Sequence, residues 1–417
     1  MFFNKKISIY AFLSLTLFFG FILGENSSGG AKIDHKYLFP FIENFSLNLE
    51  TGLKNFLSKS GSLIHSPMFY LLTSFLLKIS NSLIFVNIFY LLLCLTLPLL
   101  FYQILKEKFK TDDIIIFYLS IIIFFSPYFR SSAIWLLGDN LSLILFSASI
   151  IYFLKFDQDN GKRKFIYLSI SFLIACCYIR YYYSIFYLYY FFYFFKNLDK
   201  KFLLKILLFS FFLSIPALFY FYYIIEKFYF LETLNAFGNI NYVSSGIIIL
   251  SIIFFYILPF IINKEFEILE YYKKNFQIII NFLVIFFIIY LINFFFINGL
   301  IDFPQRGGGI FIKLFRFLEI DEIIPMLLIS CLSMIIIDFI FKEDRLMNYL
   351  LLLIIITSLP LISIYQKYLD PLFYLIFFGL VKSNYLENSI LKNKLNLKFI
   401  FFYFFSFYTF SLLYYLK

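Results

Sequence analysis

Long apolar runs separated by short charged gaps are the feature that most constrains this chain, residues 7–23 being the first such run. A helix rises 1.5 Å per residue, so about 20 apolar residues cross the roughly 30 Å hydrocarbon core of a bilayer. Hydrophobic residues make up 62% of the 417 residues and charged residues only 14%, too few charges for a soluble surface. We therefore predict a polytopic membrane protein with an all-α fold, because separate spans satisfy their backbones in lipid only as helices.

Reading the apolar runs against the charged gaps gives thirteen predicted spans. Residues 1–417 are then a single transmembrane domain whose longest non-spanning segment lies between the first two spans. The predicted spans are residues 7–23, 81–104, 113–127, 132–154, 165–179, 182–195, 203–224, 246–263, 276–297, 322–341, 348–365, 370–381 and 398–416.

The distribution of Lys and Arg sets the orientation of these spans, because short cytoplasmic loops carry an excess of both residues. With Lys5 and Lys6 in the cytoplasm and the spans alternating sides, 22 of the 35 Lys and Arg residues fall in cytoplasmic gaps. The formal net charge of +10 is thus largely a topology signal. It gives no support to nucleic acid as a partner.

The same rule divides the apolar stretch at residues 165–195. As one helix, this stretch would be about 46 Å long, too long for a single crossing of the bilayer. One crossing would also invert the charge pattern of every later loop. Two short helices with Arg180 at their outer turn are predicted instead. Residues 113–154 are predicted to form a similar hairpin whose outer turn contains Arg130, with Asp139 either in that turn or at the start of the second helix.

The N-terminus has two interpretations. Asn4-Lys5-Lys6 followed by an apolar run is typical of a signal peptide. The segment Phe19–Gly24 lacks the small-x-small cleavage site, which favours an uncleaved first helix. The four cysteines all fall inside apolar runs and are interpreted as small core residues, so no metal cluster is predicted.

Residues 24–80 form the first outer loop, and both histidines of the chain fall within it. Apolar residues at roughly helical spacing over residues 39–57 predict amphipathic helices that lie along the membrane interface. Pro67 suits the first turn of a further helix, with Ser66 as its cap. His65 is either part of a site or a structural cap at this helix start.

Several ionisable residues collect on the same predicted outer face, where each also has a structural interpretation. Asp34 could be a solvated loop charge, Asp139 a helix N-cap, and Arg180 an anchor in the headgroup zone. The loop at residues 298–321 carries Arg306, three glycines and Lys313, and the glycines could form only a flexible turn. The convergence of acids and cations on one leaflet, where charge is costly, favours a functional site.

These features together resemble the GT-C class of membrane glycosyltransferases, which use polyprenyl-phosphate-linked sugars. This class includes the protein O-mannosyltransferase, aminoarabinose-transferase and dolichol-pathway glucosyltransferase families. The resemblance rests on a first helix followed by a long outer loop with an acid, here Asp34, and on the helix start His65-Ser66-Pro67-Met68-Phe69-Tyr70. It also rests on an acid that opens a span in Gly138-Asp139-Asn140-Leu141. It covers mainly residues 1–200, with residues 81–200 corresponding to the core helices of the class.

The resemblance implies transfer of a hexose, with inversion, from a polyprenyl-phosphate donor to a hydroxyl of a glycan, lipid or protein. The active face would be the extracytoplasmic face of a bacterial-type cytoplasmic membrane. No cofactor is required, and a divalent cation such as Mg or Mn is optional. The implied catalytic residues are Asp34 as base, Glu25 as the alternative base, and Asp139 to orient the acceptor or hold that cation. The implied substrate-binding residues are His65, Arg130, Arg180, Arg306 and Lys313.

Two other functions remain open. An O-antigen or capsule polymerase would join lipid-linked repeat units, but its large outer loop usually lies in the middle of the chain. A flippase for lipid-linked oligosaccharides, or another secondary transporter, would place charges near the bilayer midplane and often shows two similar halves. No internal repeat is evident here.

Overall fold

A computed structural model describes residues 2–58, 66–111, 114–158, 162–226, 241–262, 265–295, 301–305, 307–359, 363–392 and 395–416. All regular secondary structure in these ranges is helical. The predicted all-α class is therefore confirmed for this part of the chain. The chain divides into two compact units, residues 1–230 with 401–417 and residues 231–400.

The described residues of the first unit contain twelve α-helices and most of the last helix of the chain. Two 3-10 turns, Ile122–Phe125 and Tyr181–Ile185, follow the seventh and tenth of these helices. The α-helices are α1 Phe2–Ile22, α2 Ala31–Leu47, α3 Leu49–Ser58, α4 Met68–Ser80, α5 Leu83–Cys94, α6 Thr96–Phe109, α7 Ile114–Ile121, α8 Pro127–Ile134, α9 Gly138–Gln158, α10 Lys164–Ile179, α11 Phe186–Asn197 and α12 Lys200–Glu226.

The regular secondary structure of the second unit is also helical in its described residues. Its shorter elements include a 3-10 turn at Gln366–Tyr368 and a π-helical turn at Ile376–Leu380. The α-helices are α13 Tyr242–Ile261, α14 Glu265–Lys274, α15 Phe276–Phe295, α16 Gly309–Phe317, α17 Ile323–Phe341, α18 Arg345–Thr357, α19 Leu372–Leu375 and α20 Asn384–Leu391. The last helix, α21, runs from Leu397 to Tyr415 and joins the first unit from Phe401 onward.

Eight helices in the described residues are long and apolar enough to cross a membrane, which is the pattern of a polytopic membrane protein. A ninth candidate is the bent pair Ile114–Phe125 and Pro127–Ile134, with 63° between its halves. In the described residues each of the thirteen predicted spans falls on helical structure, but four of them do not pass the same test. Their helices are too short: α10, α11, α18, and α19 with the π-helical turn after it. The number of crossings therefore stays a prediction.

The two predicted breaks differ in how closely the structure follows them. Helix α10 ends at Ile179 and Arg180 has an extended backbone, so the break at Arg180 is present as predicted. At residues 113–154 the predicted turn contains a separate short helix, α8, which carries Arg130. Asp139 lies beyond it, in the first turn of the helix that begins at Gly138. Pro127 begins α8 in the first turn, where the missing N–H costs nothing.

The packing of α9 against α10 holds the centre of the first unit together. Ser149 donates from its hydroxyl to the Ser169 carbonyl at 2.7 Å, and Ser169 returns a hydrogen bond to the Ser149 carbonyl at 3.0 Å. Small residues at such a contact let two backbones approach closely, as is common between membrane helices. The hydroxyl of Ser149 also hydrogen-bonds to the Tyr190 hydroxyl at 3.2 Å. Helix α9 is thus a rigid support for Asp139 at its start.

The break at Arg180 gives a topology prediction. If residues 164–197 cross the bilayer twice, Ser184→Cys and Lys200→Cys lie on opposite sides, since both positions are exposed. We expect a membrane-impermeant maleimide to label Ser184→Cys in intact cells and Lys200→Cys only after permeabilisation. Labelling of both variants from the same side would contradict two crossings.

Candidate functional site

The segment after the first helix contains a buried ion pair. Arg130 Nη2 lies 2.6 Å from Glu25 Oε2, and its Nε lies 2.9 Å from Oε1, so the contact is bidentate. Both side chains are almost completely buried, with 4% and 6% of their surface exposed. Two charges so far from water need excellent geometry and further hydrogen bonds to offset their desolvation.

Neighbouring groups supply those hydrogen bonds. Arg130 donates to the Thr16 hydroxyl at 3.2 Å and to the Thr16 carbonyl at 2.9 Å, while Ser27 donates to Glu25 Oε1 at 2.8 Å. The Arg130 guanidinium also lies 4.9 Å from the ring centre of Tyr408. The pair is therefore a satisfied structural network that fixes α1, the loop after it and α8.

Gly20 allows this pair to form. A Cβ atom at position 20 would collide with Glu25 Oε2 and would lie 2.9 Å from Arg130 Nη2. Only the absence of a side chain leaves room for the carboxylate against α1. At Gly30, in contrast, no atom lies within 4 Å of such a Cβ.

Trp135, the one tryptophan of the chain, anchors the start of α2 beside this pair. Its Nε1 donates to the Glu25 carbonyl at 2.7 Å. Its ring lies 6.0 Å from the His35 ring and 5.5 Å from Lys32 Nζ. These contacts fix the first turn of α2, which carries Asp34.

A second bidentate pair joins Asp139 to Arg180. Arg180 Nε lies 2.9 Å from Asp139 Oδ1 and Nη2 lies 3.0 Å from Oδ2. The Asp139 side chain is 27% exposed and the Arg180 side chain is 12% exposed, so this pair is more accessible to solvent than the first. Asp139 lies in the first turn of α9, where the helix dipole favours a negative charge. The helix begins one residue earlier, so Asp139 is not its N-cap.

The turn that leads into Asp139 is held in an unusual conformation. Leu136 has a φ of 51°, in the left-handed region that non-glycine residues seldom adopt. The following carbonyl, that of Leu137, accepts hydrogen bonds from the hydroxyls of Tyr90 and Ser132. The structure around the turn therefore determines where α9 begins and where Asp139 projects.

Tyr70 connects the predicted base to this second pair. Its ring is buried in α4, and its hydroxyl lies within electrostatic range of Asp34, Asp139, Arg180 and Tyr220. Three residues predicted separately from the sequence thus share one neighbour in the first unit. Two carboxylates and one guanidinium around a buried tyrosine form the candidate site.

The helix that carries Tyr70 does not start as predicted. Helix α4 begins at Met68 with Pro67 at its N-cap, and the structure gives Ser66 no capping hydrogen bond. The Ser66 hydroxyl donates instead to the carbonyl of Tyr178, near the end of α10. The predicted cap is wrong because this contact with another helix takes the hydroxyl.

In the second unit, Lys313 lies exposed on α16, after the glycines of the predicted basic loop. Arg316 on the same helix donates to the carbonyls of Pro304 and Gln305 at 3.1 and 3.0 Å. It also pairs with Glu322 at 2.8 Å. This basic residue fastens the loop to α16, so it has a structural role.

Of the predicted site residues, Asp139 and Arg180 are paired, and each of them interacts electrostatically with Tyr70, as does Asp34. Glu25 and Arg130 form the separate buried pair in the same unit. Lys313 belongs to the second unit, and His65 and Arg306 lie outside the described residues. Among the residues that the structure describes, no three His, Cys, Asp or Glu side chains gather as a metal ion would require.

One buried acid was missed in the sequence. Asp338 in α17 is 4% exposed and accepts hydrogen bonds from the hydroxyls of Tyr271 at 3.1 Å and Tyr349 at 2.9 Å. Arg345 Nη2 lies 3.6 Å from its carboxylate and donates to the Tyr271 hydroxyl at 2.7 Å. A single acid within an apolar run indicates a residue that pairs with another polar group, and this signal at Asp338 is present in the sequence. We assign this network a structural role because its polar groups form hydrogen bonds with one another.

No family model, curated protein or solved structure matches the chain. Function is therefore inferred from the side chains and their geometry.

The fit at Gly20 gives a stability prediction. We expect Gly20→Ala to lower the free energy of unfolding by about 1–3 kcal/mol, the usual cost of forcing atoms into a packed interior. Gly30→Ala is the matched control, and we expect it to change stability by less than about 0.5 kcal/mol. Thermal unfolding of both purified variants in detergent checks this, and equal stability of the two would contradict the close fit.

His35 gives a prediction for the dependence on pH. Burial lowers the pKa of its imidazole below the ordinary value of 6.5, although a hydrogen bond with the Trp135 backbone acts in the opposite direction. His35 therefore takes up a proton at a higher pH in the unfolded chain than in the folded protein, so protonation favours the unfolded chain. The free energy of unfolding falls as the pH drops below about 6.5. We expect the melting temperature to fall between pH 7.5 and 5.5, and to fall less in His35→Gln. An identical fall in both proteins would contradict a lowered pKa.

Proposed function

We propose that this protein is a membrane glycosyltransferase that transfers a sugar from a polyprenyl-phosphate donor to an acceptor hydroxyl. The reaction takes place on the extracytoplasmic face of the membrane. The observation that carries the proposal is the grouping of Asp34, Asp139 and Arg180 around Tyr70 in the first unit. The many apolar helices support it further, because a lipid-linked donor reaches its enzyme through the bilayer.

The reaction needs a base and a cation, and the group provides candidates for both. Asp34 accepts the proton of the acceptor hydroxyl while that oxygen attacks the anomeric carbon of the sugar. The bond between the anomeric carbon and the phosphate oxygen breaks, and the polyprenyl phosphate leaves with the bonding electron pair. Attack from the opposite side inverts the anomeric configuration.

Arg180 stabilises the negative charge that develops on the departing phosphate. A guanidinium presents its N–H donors in a planar fork that matches phosphate oxygens, and the contacts with Asp139 hold Arg180 in place. Asp139 orients Arg180 and the acceptor hydroxyl, and it offers an oxygen ligand should a divalent cation take part. A preorganised cation of this kind acts where the charge appears, at no cost of reorganisation.

Asp34 is a better candidate for the base than Glu25. The Glu25 carboxylate is buried and accepts hydrogen bonds from Arg130 and Ser27, which suits a structural role. Asp34 is only partly buried and lies in the first turn of α2, a position that substrate can approach. Within the proposal, the Glu25–Arg130 pair supports the loop from which α2 starts.

Donor turnover tests the proposed function. Purified protein is incubated with a panel of polyprenyl-phosphate sugars and hydroxyl acceptors, and acceptor-dependent release of polyprenyl phosphate is measured. We expect release from at least one donor. No release from any donor, by protein that is folded, would contradict the proposal.

The base is tested in the same assay. We expect Asp34→Asn to lower the transfer rate by at least about 100-fold, because an amide cannot accept the proton. Glu43→Gln, an exposed change on the same helix, should leave the rate unchanged. Retained turnover in Asp34→Asn would assign the base to another residue.

A further inference from the structure

Helix α12 has a proline in its interior. Pro216 lies inside this helix. A proline has no N–H to donate, and its ring clashes with the carbonyl one turn earlier, so a proline at such a position bends a helix. In lipid, backbone groups released by such a bend need other partners. Tyr220 lies one turn beyond the proline and is one of the electrostatic neighbours of Tyr70. The direction of α12 after the bend therefore determines where Tyr220 stands.

A tyrosine of α10 reaches the backbone at this bend. The Tyr178 hydroxyl donates to the Leu213 carbonyl at 2.7 Å and accepts from the Ala217 N–H at 3.3 Å. Residues 213 and 217 are the pair that a regular helix would join directly. A single phenolic hydroxyl thus bridges the two sides of the turn that contains Pro216, and insertion of a side chain into the ladder is a known cause of helix kinks.

The backbone of Tyr178 holds another part of the candidate site. Its carbonyl is among the last four of α10, which have no partner within the helix, and it accepts the hydrogen bond from Ser66. Ser66 precedes α4, which carries Tyr70. Arg180 follows Tyr178 by two residues. One residue therefore contacts the segment before Tyr70 and the bend before Tyr220, and lies next to Arg180 in sequence.

We infer that Tyr178 is a positioning residue that acts through the Pro216 bend and holds Tyr220 against the site that contains Tyr70, Asp139 and Arg180. The effect of Tyr178 on the reaction rests on the proposed function. Its effect on the position of Tyr220 rests only on the two hydrogen bonds of the Tyr178 hydroxyl with α12. Removing the hydroxyl leaves the ring in place but breaks both contacts with α12. The segment beyond the proline then changes its angle, and Tyr220 moves relative to the site.

The first measurement does not depend on any activity. The full-length protein in lipid nanodiscs carries 3-fluorotyrosine at position 220, and its 19F resonance is recorded. We expect Tyr178→Phe to shift this resonance. Tyr187→Phe is the matched control, because its hydroxyl contacts the same helix at Ser210, before the bend, at 2.9 Å. We expect the control to leave the resonance where it is.

A double substitution tests the route through the proline. Pro216→Ala restores the missing N–H and removes the cause of the bend. In that background, Tyr178→Phe should shift the 19F resonance much less than it does in the natural chain. An equal shift in both backgrounds, no shift in Tyr178→Phe, or the same shift in Tyr187→Phe would each overturn the inference.

Kinetics separate positioning from general stability. We expect Tyr178→Phe to lower kcat by about 10- to 100-fold with little change in the KM of the donor, as misplacement of site groups typically does. Tyr187→Phe should keep both constants, and an equal loss of kcat in the two variants would overturn the inference. If the unaltered protein transfers no sugar, the proposed function fails, while the 19F shifts still decide the role of Tyr178.

Discussion

The cost of holding charge away from water is the constraint on which the first unit depends. Ionisable side chains within a membrane protein face the protein interior and pair with one another, because lipid cannot solvate them. Glu25 with Arg130 and Asp139 with Arg180 both follow this rule through bidentate contacts. Each pair joins elements far apart in sequence, so the pairs fix the ends of the helices in space.

The two pairs differ in a way that bears on function. The pair of Glu25 and Arg130 is nearly inaccessible and surrounded by hydrogen bonds, which suits a structural role. The pair of Asp139 and Arg180 is partly exposed and interacts electrostatically with Tyr70, as Asp34 also does. A partly exposed pair can exchange some of its contacts for those of a substrate. For this reason the second pair, and not the first, is the proposed centre of the reaction.

The helices could be predicted from the sequence because apolar periodicity and Lys/Arg asymmetry are local signals. The break at Arg180 shows this well, since the length of residues 165–195 and the Lys/Arg pattern of the later loops both indicate it. The pairing of charges could not be predicted in this way. Glu25 and Arg130 are 105 residues apart, and no local pattern states which cation an acid will meet. The sequence therefore predicts Arg130 as a substrate-binding residue and does not indicate its contact with Glu25.

Tertiary contacts also explain the remaining differences. The Ser66 hydroxyl contacts Tyr178 because α10 passes close to the start of α4, a fact invisible in a capping pattern. Tyr178 and Tyr220 were hidden in the sequence by an abundance of tyrosine, which counts 35 residues. The role inferred for both tyrosines depends on Pro216, which interrupts the backbone hydrogen bonds of α12. The sequence does not show that the Tyr178 hydroxyl bonds to the Leu213 carbonyl beside this proline.

The most direct test of the central claim is a cryo-EM structure of the protein in lipid nanodiscs with a bound polyprenyl-phosphate sugar. The account predicts phosphate density within hydrogen-bonding distance of Arg180, with the sugar between Asp34 and Asp139. Density for the donor headgroup at another place on the protein, with Arg180 and Asp139 still paired and out of its reach, would contradict it.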